Sequence, residues 1–543
     1  MSGQADAGQR TRLAALVAAW LVLTAALGTT VAAATAVPTM SPPAKVGASQ
    51  LAPPRALTSR PAPADPSALP SANPSPSPAA IFVPLVPVAG FWSSESSMSR
   101  SALRTVVAGR GNHPRPVWVQ AADLAALAST LDVTPGASVH RASAATVRAR
   151  VTADPDALGI LRAEEVTPAL HALGVDDRTL FGETRVRHLS DWPLAVAEPA
   201  DATPSTFEPG TTWTLAAGGD VMLDRGVYRQ AVLGRKGADY PWRGGTAVIA
   251  GRYCCGFPGF SVVRGRRTGH AGALAALLRR ADVALVNLEG PAPDAFTYHP
   301  TGLTFSMDPA LLAGVRRAGI DAVSIANNHI RNAGAAGVGQ TARNLDRAGI
   351  AHAGAGGSLA AARRPVLFDV GGTRVALLAY NGVAGAPVAG AHTAGAAPLR
   401  MSVVRADIRA ARQAGAGVVI VVPHWGSEYT DAVPSTTRAQ ARALVAAGAD
   451  LVLGSHSHWA GPLEFVSGRF VVYSMGDLVF DLIHDERTQE GVVVELTFAG
   501  SRLVQAALHP TLIVDAAQPN LLQPGGGGRA LLRAMEAASR RMR

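Results

Sequence analysis

The chain has 543 residues, enough for two or three domains, and 48% of them are hydrophobic while only 5% are aromatic, a composition typical of a globular, alanine-rich protein. The formal net charge of +10 comes almost entirely from arginine, with lysine only at Lys45 and Lys236. It forms no basic block of the kind found in nucleic-acid-binding tails, so we expect no nucleic-acid partner. A basic surface instead favours acidic partners such as phosphates, anionic lipid or polycarboxylate.

The first 37 residues predict an export signal. The uncharged stretch 13–37 follows Arg10 and Arg12, and as a helix it is long enough to cross a bilayer. Small residues near position 32 also offer a cleavage site. Residues 1–37 are therefore a signal peptide or a signal anchor. Either one leads us to expect an extracytoplasmic protein that is membrane-anchored or secreted.

Two further regions precede the main part of the chain. Residues 38–87 are mostly Pro, Ala and Ser, which predicts an extended linker without a core. Residues 88–204 predict a small α/β accessory domain, with a strand at 117–119, a helix at 121–131 and Ser99 as the N-cap of another helix. Its sequence contains no cluster of chemistry-bearing residues, so we expect structural or solvated roles for its histidines.

Residues 211–515 predict an α/β domain because short apolar strands alternate with helices. The predicted strands are 212–216, 283–286, 322–325, 375–379, 418–422, 451–453 and 492–498, with a hairpin formed by 463–466 and 470–473. The predicted helices are 271–280, 309–318, 338–348, 403–414 and 438–447. Residues 516–543 predict a glycine-rich joint followed by a basic surface helix.

The only two cysteines, Cys254 and Cys255, are adjacent, which excludes a disulfide framework. We expect them to be small apolar residues in a loop. The alternative for an exported chain is a vicinal disulfide, whose ring is strained.

Metal-competent side chains follow five of the predicted strands. In open α/β sheets, ligands bind outside the carboxyl ends of the strands, so these segments are the candidate site. They are Gly218-Gly219-Asp220, Asn287-Leu288-Glu289, Asn327-Asn328-His329, Pro423-His424 and His456-Ser457-His458. Each residue alone has an ordinary explanation as a helix cap, a turn residue or a surface group. Five such strand ends together predict a metal site.

The residue types indicate two hard or borderline divalent cations. Imidazole suits Zn, Fe and Mn, carboxylate suits Mn and Mg, and an asparagine carbonyl suits an oxygen-preferring ion. Two ions with two carboxylates retain surplus positive charge, which binds an anion and acidifies water. The expected chemistry is hydrolysis of a phosphoester, with His329 placed to protonate the leaving group.

The ordered set of motifs resembles a known family. The motifs are Asp220-Val221-Met222, Asn287-Leu288-Glu289, Asn327-Asn328-His329, His424-Trp425-Gly426, the His456-Ser457-His458 loop and the segment 474–481. They are similar to those of the capsule-synthesis protein CapA (PgsA) family, which is associated with poly-γ-glutamate and belongs to the calcineurin-like metallophosphoesterase superfamily. The resemblance covers about residues 211–500. It implies a four-layer α-β-β-α metallophosphoesterase-like sandwich, here preceded by the small α/β accessory domain.

The resemblance also implies a role for each site residue. It makes Asp220 a ligand of the first metal, Glu289 the bridging carboxylate, Asn328, His424 and His456 ligands of the second metal, His458 a ligand returning to the first metal, and His329 the residue that assists catalysis. The implied cofactors are one or two divalent ions, Mn, Fe, Zn or Mg.

Several positions depart from the family pattern. Met222 stands where the superfamily has histidine, and a thioether is a poor ligand for hard ions. Glu289 is one methylene longer than the superfamily's aspartate, and Asp477 stands where the family more often has asparagine. Ser455 and Ser457 stand where the family usually has histidine and proline.

Three functions follow as hypotheses. The leading one is an exported CapA-like protein that acts in biosynthesis, release or anchoring of an anionic capsule polymer, poly-γ-glutamate, together with capsule-synthesis membrane partners. The second is an extracytoplasmic metal-dependent phosphoesterase acting on small phosphoesters. The third is a non-catalytic polyanion-binding module, which Met222 favours. The sequence therefore leaves open whether the protein is a metal-dependent hydrolase or a binding protein.

Overall fold

The computed structural model describes residues 57–58, 81–110, 115–198, 205–257 and 260–542. The predicted export segment, residues 1–37, lies outside the described residues, as does most of the predicted linker. Within the described ranges, no helix combines the length and the apolar character needed to cross a membrane.

Strands outnumber helices in the described residues. In chain order, the strands are β1 Leu57–Thr58, β2 Ile81–Gly90, β3 Ser97–Met98, β4 Val117–Gln120, β5 Val139–Ala142, β6 Leu158–Arg162, β7 Leu170–Ala172, β8 Gly174–Val175, β9 Ala195–Glu198, β10 Thr212–Val221, β11 Thr246–Phe257, β12 Phe260–Gly269, β13 Val283–Leu288, β14 Ala322–Ser324, β15 Ala351–Ala353, β16 Ala355–Gly356, β17 Val366–Val370, β18 Thr373–Asn381, β19 Gly395–Ala396, β20 Val418–His424, β21 Leu451–Leu453, β22 Leu463–Val466, β23 Arg469–Val472, β24 Asp477–Val479, β25 Glu490–Ala499, β26 Arg502–Val514 and β27 Gln518–Leu521. The α-helices are α1 Arg100–Val107, α2 Leu124–Leu131, α3 Ala144–Ala153, α4 Arg225–Tyr228, α5 Ala273–Arg280, α6 Leu312–Ala318, α7 Gly334–Ala348, α8 Leu359–Ala362, α9 Met401–Gln413, α10 Ser435–Ala446, α11 Glu486–Gln489 and α12 Arg529–Arg540.

Residues 81–198 build a sheet of their own, which we call the accessory sheet. Its strand order is β5-β4-β6-β2-β7, and β9 also pairs with β2. The sheet and α1–α3 share one apolar core that includes Leu85, Leu103 and Leu158. Ser99 caps α1 as predicted, because its hydroxyl accepts a hydrogen bond from the backbone N–H of Ala102.

Two larger sheets form the centre of the remaining chain. One has the order β1-β17-β18-β20-β21-β23-β22. The other has the order β12-β11-β27-β26-β25-β10-β13-β14-β15, with β24 added beside β10. Runs of parallel strands, β10-β13-β14-β15 and β18-β20-β21-β23, bring several carboxyl strand ends to one edge of each sheet.

The alternation of side chains along the strands explains the layers. Leu215 of β10 faces the core between the two sheets, where it joins Leu377 and Ile420 of the other sheet. Its neighbour Ala216 faces the opposite side and packs with α5, α6 and α7. On the outer face of the seven-stranded sheet, Val419 of β20 packs with α9 and α10. Helices on both outer faces of two stacked sheets confirm the four-layer α-β-β-α sandwich.

Two boundaries and two other features differ from the sequence-based expectation. Strand β2 begins at Ile81, inside the predicted linker, because prolines are tolerated in a strand where their missing N–H is not needed. Strand β27 carries the ten-stranded sheet beyond residue 515. Helix α12 is not only a surface helix, since Leu531 and Met535 enter the core between the sheets. Cys254 lies in the unpredicted hairpin β11–β12 rather than in a loop, and it is disulfide-bonded.

Candidate metal centre

The predicted site residues lie at the carboxyl ends of neighbouring strands of both central sheets. They are Asp220 near the end of β10, Glu289 after β13, Asn328 and His329 after β14, His424 at the end of β20, and His456 and His458 after β21. The fold brings all seven together, although they come from five separate segments of the chain.

Asp220 is held in one orientation by its neighbours. Its Oδ1 accepts a hydrogen bond of 2.7 Å from Asn287 Nδ2, and its Oδ2 accepts one of 3.1 Å from the backbone N–H of His456. His456 and His458 both have a left-handed backbone, with φ of 100° and 58°. Such conformations cost about 1–3 kcal/mol each and persist where the surroundings enforce them. The loop is thus bent so that the His456 N–H and the His458 imidazole face Asp220, while the His456 ring lies beside His424.

Glu289 occupies the middle of the site. Its side chain is buried, and its Oε1 lies 3.8 Å from His329 Nε2 and 3.9 Å from His424 Nε2. Within the described part of the chain, neither carboxylate oxygen has a hydrogen-bond partner. Burial, together with the nearby charges of Asp220 and Asp477, raises the pKa of Glu289 well above its usual value.

Three residues form what we call the second position, the group Asn328, His424 and His456. His424 Nε2 lies 2.9 Å from Asn328 Oδ1, and the ring centroids of His424 and His456 are 4.7 Å apart. Ser455 Oγ supports His424 Nδ1 at 2.9 Å. Burial lowers the pKa of His456 to about 3 and that of His424 well below its usual value, so both rings are neutral at pH 7. A neutral imidazole is the form that binds metal.

The first position comprises Asp220 and His458, with Glu289 shared between the two positions. Ligand atoms of Asp220, Glu289 and His458 all lie within 4.8 Å of one another. His458 Nδ1 lies 3.9 Å from Asp220 Oδ2 and only 2.8 Å from Asp477 Oδ1. Asp477 is therefore part of the site, although the motif pattern assigned it no role.

His329 Nε2 lies 3.8 Å from Glu289 Oε1, and the His329 ring packs on the ring of Phe305, with the centroids 4.2 Å apart. Asn332 Nδ2 lies 3.0 Å from His329 Nδ1 and can only donate to it, which leaves the ring proton on Nε2, the nitrogen nearer Glu289. Burial lowers the pKa of His329 to about 4. The neutral ring can thus donate a hydrogen bond from Nε2–H toward the centre.

Met222 takes no part in the ligand set. Its Sδ lies 3.0 Å from the backbone N of Asp224, and its side chain packs in a buried apolar cluster with Phe305, Phe480 and Ile513. The position where the superfamily has histidine is thus occupied by an apolar contact.

Two further residues of the site were not predicted from the sequence. Asn287 was visible in a motif, but nothing local indicates that it donates to Asp220. Arg225 lies three residues after Met222 and has a left-handed φ of 50°. Its guanidinium lies 5.3 Å from the centroid of the Phe305 ring and 5.4 Å from that of the Phe480 ring. Its charge lowers the pKa values of Glu289 and Asp477 and opposes the larger effect of their burial. Its contact with both aromatic rings could not be predicted from its neighbours in sequence.

The unpartnered atoms test whether the residues fit metal ions. Among the described residues, the buried side-chain atoms without a hydrogen-bond partner include Asn287 Oδ1, both oxygens of Glu289, His456 Nδ1 and Asp477 Oδ2. Buried polar atoms normally have partners, so five in one site call for an explanation. Carboxylate, amide oxygen and imidazole are the donors that Mn, Fe, Zn and Mg take in proteins. The site therefore fits divalent cations.

A four-layer sandwich with such a cluster at its strand ends defines a protein of the metallophosphoesterase-like fold class. Within it, the family model described as "Bacterial capsule synthesis protein PGA_cap" matches residues 214–482. A Mycobacterium tuberculosis protein named "Probable polyglutamine synthesis accessory protein" is 31% identical over 49% of this chain and 74% of its own length. The chain belongs to this capsule-synthesis family.

Two Bacillus proteins are also similar. The capsule biosynthesis protein CapA of Bacillus anthracis is 27% identical over 49% of this chain and 60% of its own length. The PGA biosynthesis protein CapA of Bacillus subtilis is 34% identical over 29% of this chain and 41% of its own length. The chain thus spans less than two thirds of each Bacillus relative.

Solved structures with a detectable likeness are more distant. The calcineurin-like phosphoesterase YfkN from Bacillus subtilis has a TM-score of 0.31 at 12% identity, covering 60% of this chain and 99% of that chain. A 5'-nucleotidase precursor from Thermus thermophilus has a TM-score of 0.34 at 17% identity, covering 61% of this chain and 59% of that chain. The fold assignment rests on the sheet order and core layers of the chain itself.

Proposed function

We propose that this protein is an exported CapA-like protein that acts in biosynthesis, release or anchoring of an anionic capsule polymer, poly-γ-glutamate, through its metal centre. The observation that carries the proposal is the buried, unpartnered carboxylate of Glu289 among Asp220, His424 and His458, inside the segment that matches the capsule-synthesis family. A carboxylate left in this state is expected to bind a cation.

The side chains divide into two ligand groups under this proposal. Asp220 and His458 would hold the first ion, Asn328, His424 and His456 the second, and Glu289 would lie between them. Divalent ions, when bound, supply positive charge that attracts an anionic polymer and polarises the bond to be broken.

The protein's own groups then orient and protonate the substrate. His329 Nε2–H faces the centre and can donate a hydrogen bond to the leaving oxygen, and it would protonate that oxygen as the imidazolium, returning to the neutral ring, while Phe305 packs against the imidazole. Asn287 and the His456 N–H keep Asp220 fixed, so its carboxylate does not have to reorganise. Capsule-synthesis membrane proteins are the partners we propose for the whole chain.

The experiment follows poly-γ-glutamate in the presence of the purified protein. We expect the protein, reconstituted with Mn²⁺, to bind the polymer in sedimentation or to shorten it in size-exclusion chromatography. EDTA and Glu289→Gln should remove the effect, whereas Glu490→Gln, which alters a buried glutamate outside the site, should retain it. Neither binding nor shortening with Mn²⁺, Fe²⁺, Zn²⁺ or Mg²⁺ would contradict the proposal.

A second candidate, a phosphoesterase acting on small phosphoesters, is favoured by His329. Its protonated Nε2 lies 3.8 Å from Glu289 Oε1, a position suited to a leaving-group acid. Turnover of a generic phosphodiester that is lost in His329→Ala while Mn²⁺ binding is retained would support this activity. Turnover that is absent with each of the four metals would exclude it for that substrate.

Export is the remaining part of the proposal, and it rests on the sequence of residues 1–37. A fusion of residues 1–80 to alkaline phosphatase, which is active only outside the cytoplasm, tests it. An active fusion is expected, and an inactive fusion of equal abundance would refute export.

A further inference from the structure

Asp477 lies beside Asp220 because their strands pair. Strand β24 is parallel to β10, and Asp477 is the register partner of Asp220. Its carboxylate is fully buried, its Oδ1 lies 2.8 Å from His458 Nδ1, and its Oδ2 has no hydrogen-bond partner within the described ranges. The same nitrogen of His458 also faces Asp220 Oδ2 at 3.9 Å. Two carboxylates and one imidazole nitrogen thus converge.

The second position has the same pattern. There His424 Nε2 and Asn328 Oδ1 lie 2.9 Å apart, and His424 Nε2 is 3.9 Å from the carboxylate of Glu289. At each position, the imidazole nitrogen contacts a side-chain oxygen. A carboxylate oxygen of a further residue lies 3.9 Å from the same nitrogen, from Glu289 at the second position and from Asp220 at the first. Asp477 therefore contacts the histidine of the first position in the same way as Asn328 contacts His424 at the second.

Charge gives an independent reason. Asp220, Glu289 and Asp477 are three carboxylates without solvent exposure, and among the described residues their ion pairs within 4.0 Å are to histidines alone. The guanidinium of Arg225, whose charge acts on this group, places its Nη2 2.6 Å from Asp481 instead. Buried charges are normally paired or coordinate a metal, so this group requires more positive charge than the side chains supply.

Met222 explains why the extra carboxylate matters. Its side chain leaves the first position without the imidazole that the superfamily places there. We propose that Asp477 replaces this missing imidazole as an additional metal ligand at the first position. The position is then an oxygen-rich site that prefers Mn²⁺ or Mg²⁺ to Zn²⁺. This inference rests on the metal centre of the proposed function.

The test is the variant Asp477→Asn in the full chain, with metal binding measured by titration calorimetry. The amide keeps an oxygen that can accept from His458 Nδ1, so a carboxylate that merely orients the imidazole would be replaced without loss. We expect Mn²⁺ affinity to fall by more than about tenfold and Zn²⁺ affinity to fall less, because Mn²⁺ prefers a charged oxygen ligand more strongly than Zn²⁺ does. Unchanged Mn²⁺ affinity, or equal losses for Mn²⁺ and Zn²⁺, would overturn the proposal.

A thermal readout separates this role from a structural one. Without metal, Asp477→Asn should melt at a higher temperature than the wild type, because it removes one of three buried like charges. The rise in melting temperature on adding Mn²⁺ should be smaller in the variant. A lower melting temperature without metal, combined with an undiminished Mn²⁺ effect, would contradict the proposal.

The control is Glu490→Gln, which neutralises another buried carboxylate with an unpartnered oxygen. It should bind Mn²⁺ as the wild type does, and a loss equal to that of Asp477→Asn would overturn the assignment. If the wild type binds no metal, both the proposed function and this inference fail. If the wild type and Asp477→Asn bind Mn²⁺ equally, only the inference fails.

Discussion

The accessory sheet and the strand-end site bury charged groups in different ways. In the accessory sheet, the buried carboxylate of Asp123 lies 2.7 Å from the guanidinium of Arg162. At the strand ends, Asp220, Glu289 and Asp477 are equally buried but make ion pairs only with histidines, among the described residues. In the first arrangement a guanidinium neutralises the carboxylate, although Asp123 Oδ2 has no hydrogen-bond partner among the described residues. In the second, the three carboxylates have only histidines as ion-pair partners within 4.0 Å in this part of the chain, which leaves carboxylate and imidazole atoms free to bind a cation.

This difference separates stability from function. A buried carboxylate without a strong partner opposes folding, and it is retained where its charge is used. Substitutions in the accessory sheet should therefore lower the free energy of unfolding without changing metal affinity. Substitutions at the strand ends should lower metal affinity without lowering the free energy of unfolding.

The largest expected effect is that of Glu289→Gln. The amide removes the charge that both positions share, so we expect metal affinity to fall by more than about 100-fold, a larger loss than for an outer-shell partner. The free energy of unfolding without metal should stay the same or rise, because a buried charge is removed. Titration calorimetry with Mn²⁺ measures the affinity, and urea unfolding measures the free energy of unfolding. Unchanged Mn²⁺ binding by Glu289→Gln would contradict the assignment of the strand-end carboxylates to metal binding.

Leu158→Ala should have the opposite signature. Leu158 is fully buried in the core of the accessory sheet, so its truncation should cost about 2–5 kcal/mol in the free energy of unfolding. Mn²⁺ affinity of the folded protein should match that of the wild type. A loss of Mn²⁺ affinity under conditions where the variant is folded would show that the accessory sheet contributes to the site.

Glu490 gives a pH-dependent prediction. Burial, followed by the charge of Glu486, raises its pKa to about 8, so the folded protein keeps a proton that the unfolded chain loses above about pH 4.5. Its contribution to stability is complete below pH 4.5 and is lost as pH rises through about 8.

Glu490→Gln should therefore stabilise the protein by up to about 4 kcal/mol at pH 8, since one pKa unit corresponds to about 1.4 kcal/mol and the rise from 4.5 to about 8 already includes the opposing charges of Arg252 and Arg487. The gain should shrink toward pH 5. Urea unfolding at both pH values measures it, and a gain that does not depend on pH would contradict the assignment.

Ser99→Ala is the smallest change and lies in the accessory sheet region. Losing the hydrogen bond that Ser99 Oγ accepts from the Ala102 N–H should cost about 1 kcal/mol and leave Mn²⁺ affinity unaltered. Ser129→Ala, which removes a hydroxyl inside α2, is the matched control and should be near neutral. An equal cost for both variants would refute the capping role.

Much of the site could be predicted because its residues follow apolar strands directly. Asp220, Glu289 and His424 needed only the rule that carboxyl strand ends meet at one sheet edge. Asp477 could not be assigned in this way, because its closeness to Asp220 arises from the pairing of β24 with β10 between distant parts of the chain. Arg225 was not predicted for a similar reason, since its contacts with Phe305 and Phe480 arise only in the tertiary fold.

In the fold as well, features set by local sequence could be predicted and features set by long-range pairing could not. The four layers were predictable from alternating strands and helices, whereas the β11–β12 hairpin was not, because its arginine- and glycine-rich strands lack a regular apolar period. The early start of β2 was hidden by Pro84 and Pro87, which suggested a linker although Leu85 and Val86 are buried. Local composition thus gave a wrong boundary where long-range strand pairing determines the secondary structure.

The central claim is that Glu289 and its neighbours hold divalent metal, and the metal content of the purified protein tests it most directly. After reconstitution with Mn²⁺ and removal of excess ion, elemental analysis should find bound Mn²⁺ in the wild type and in Leu158→Ala but not in Glu289→Gln. A wild-type protein that retains none of Mn, Fe, Zn or Mg would contradict the account.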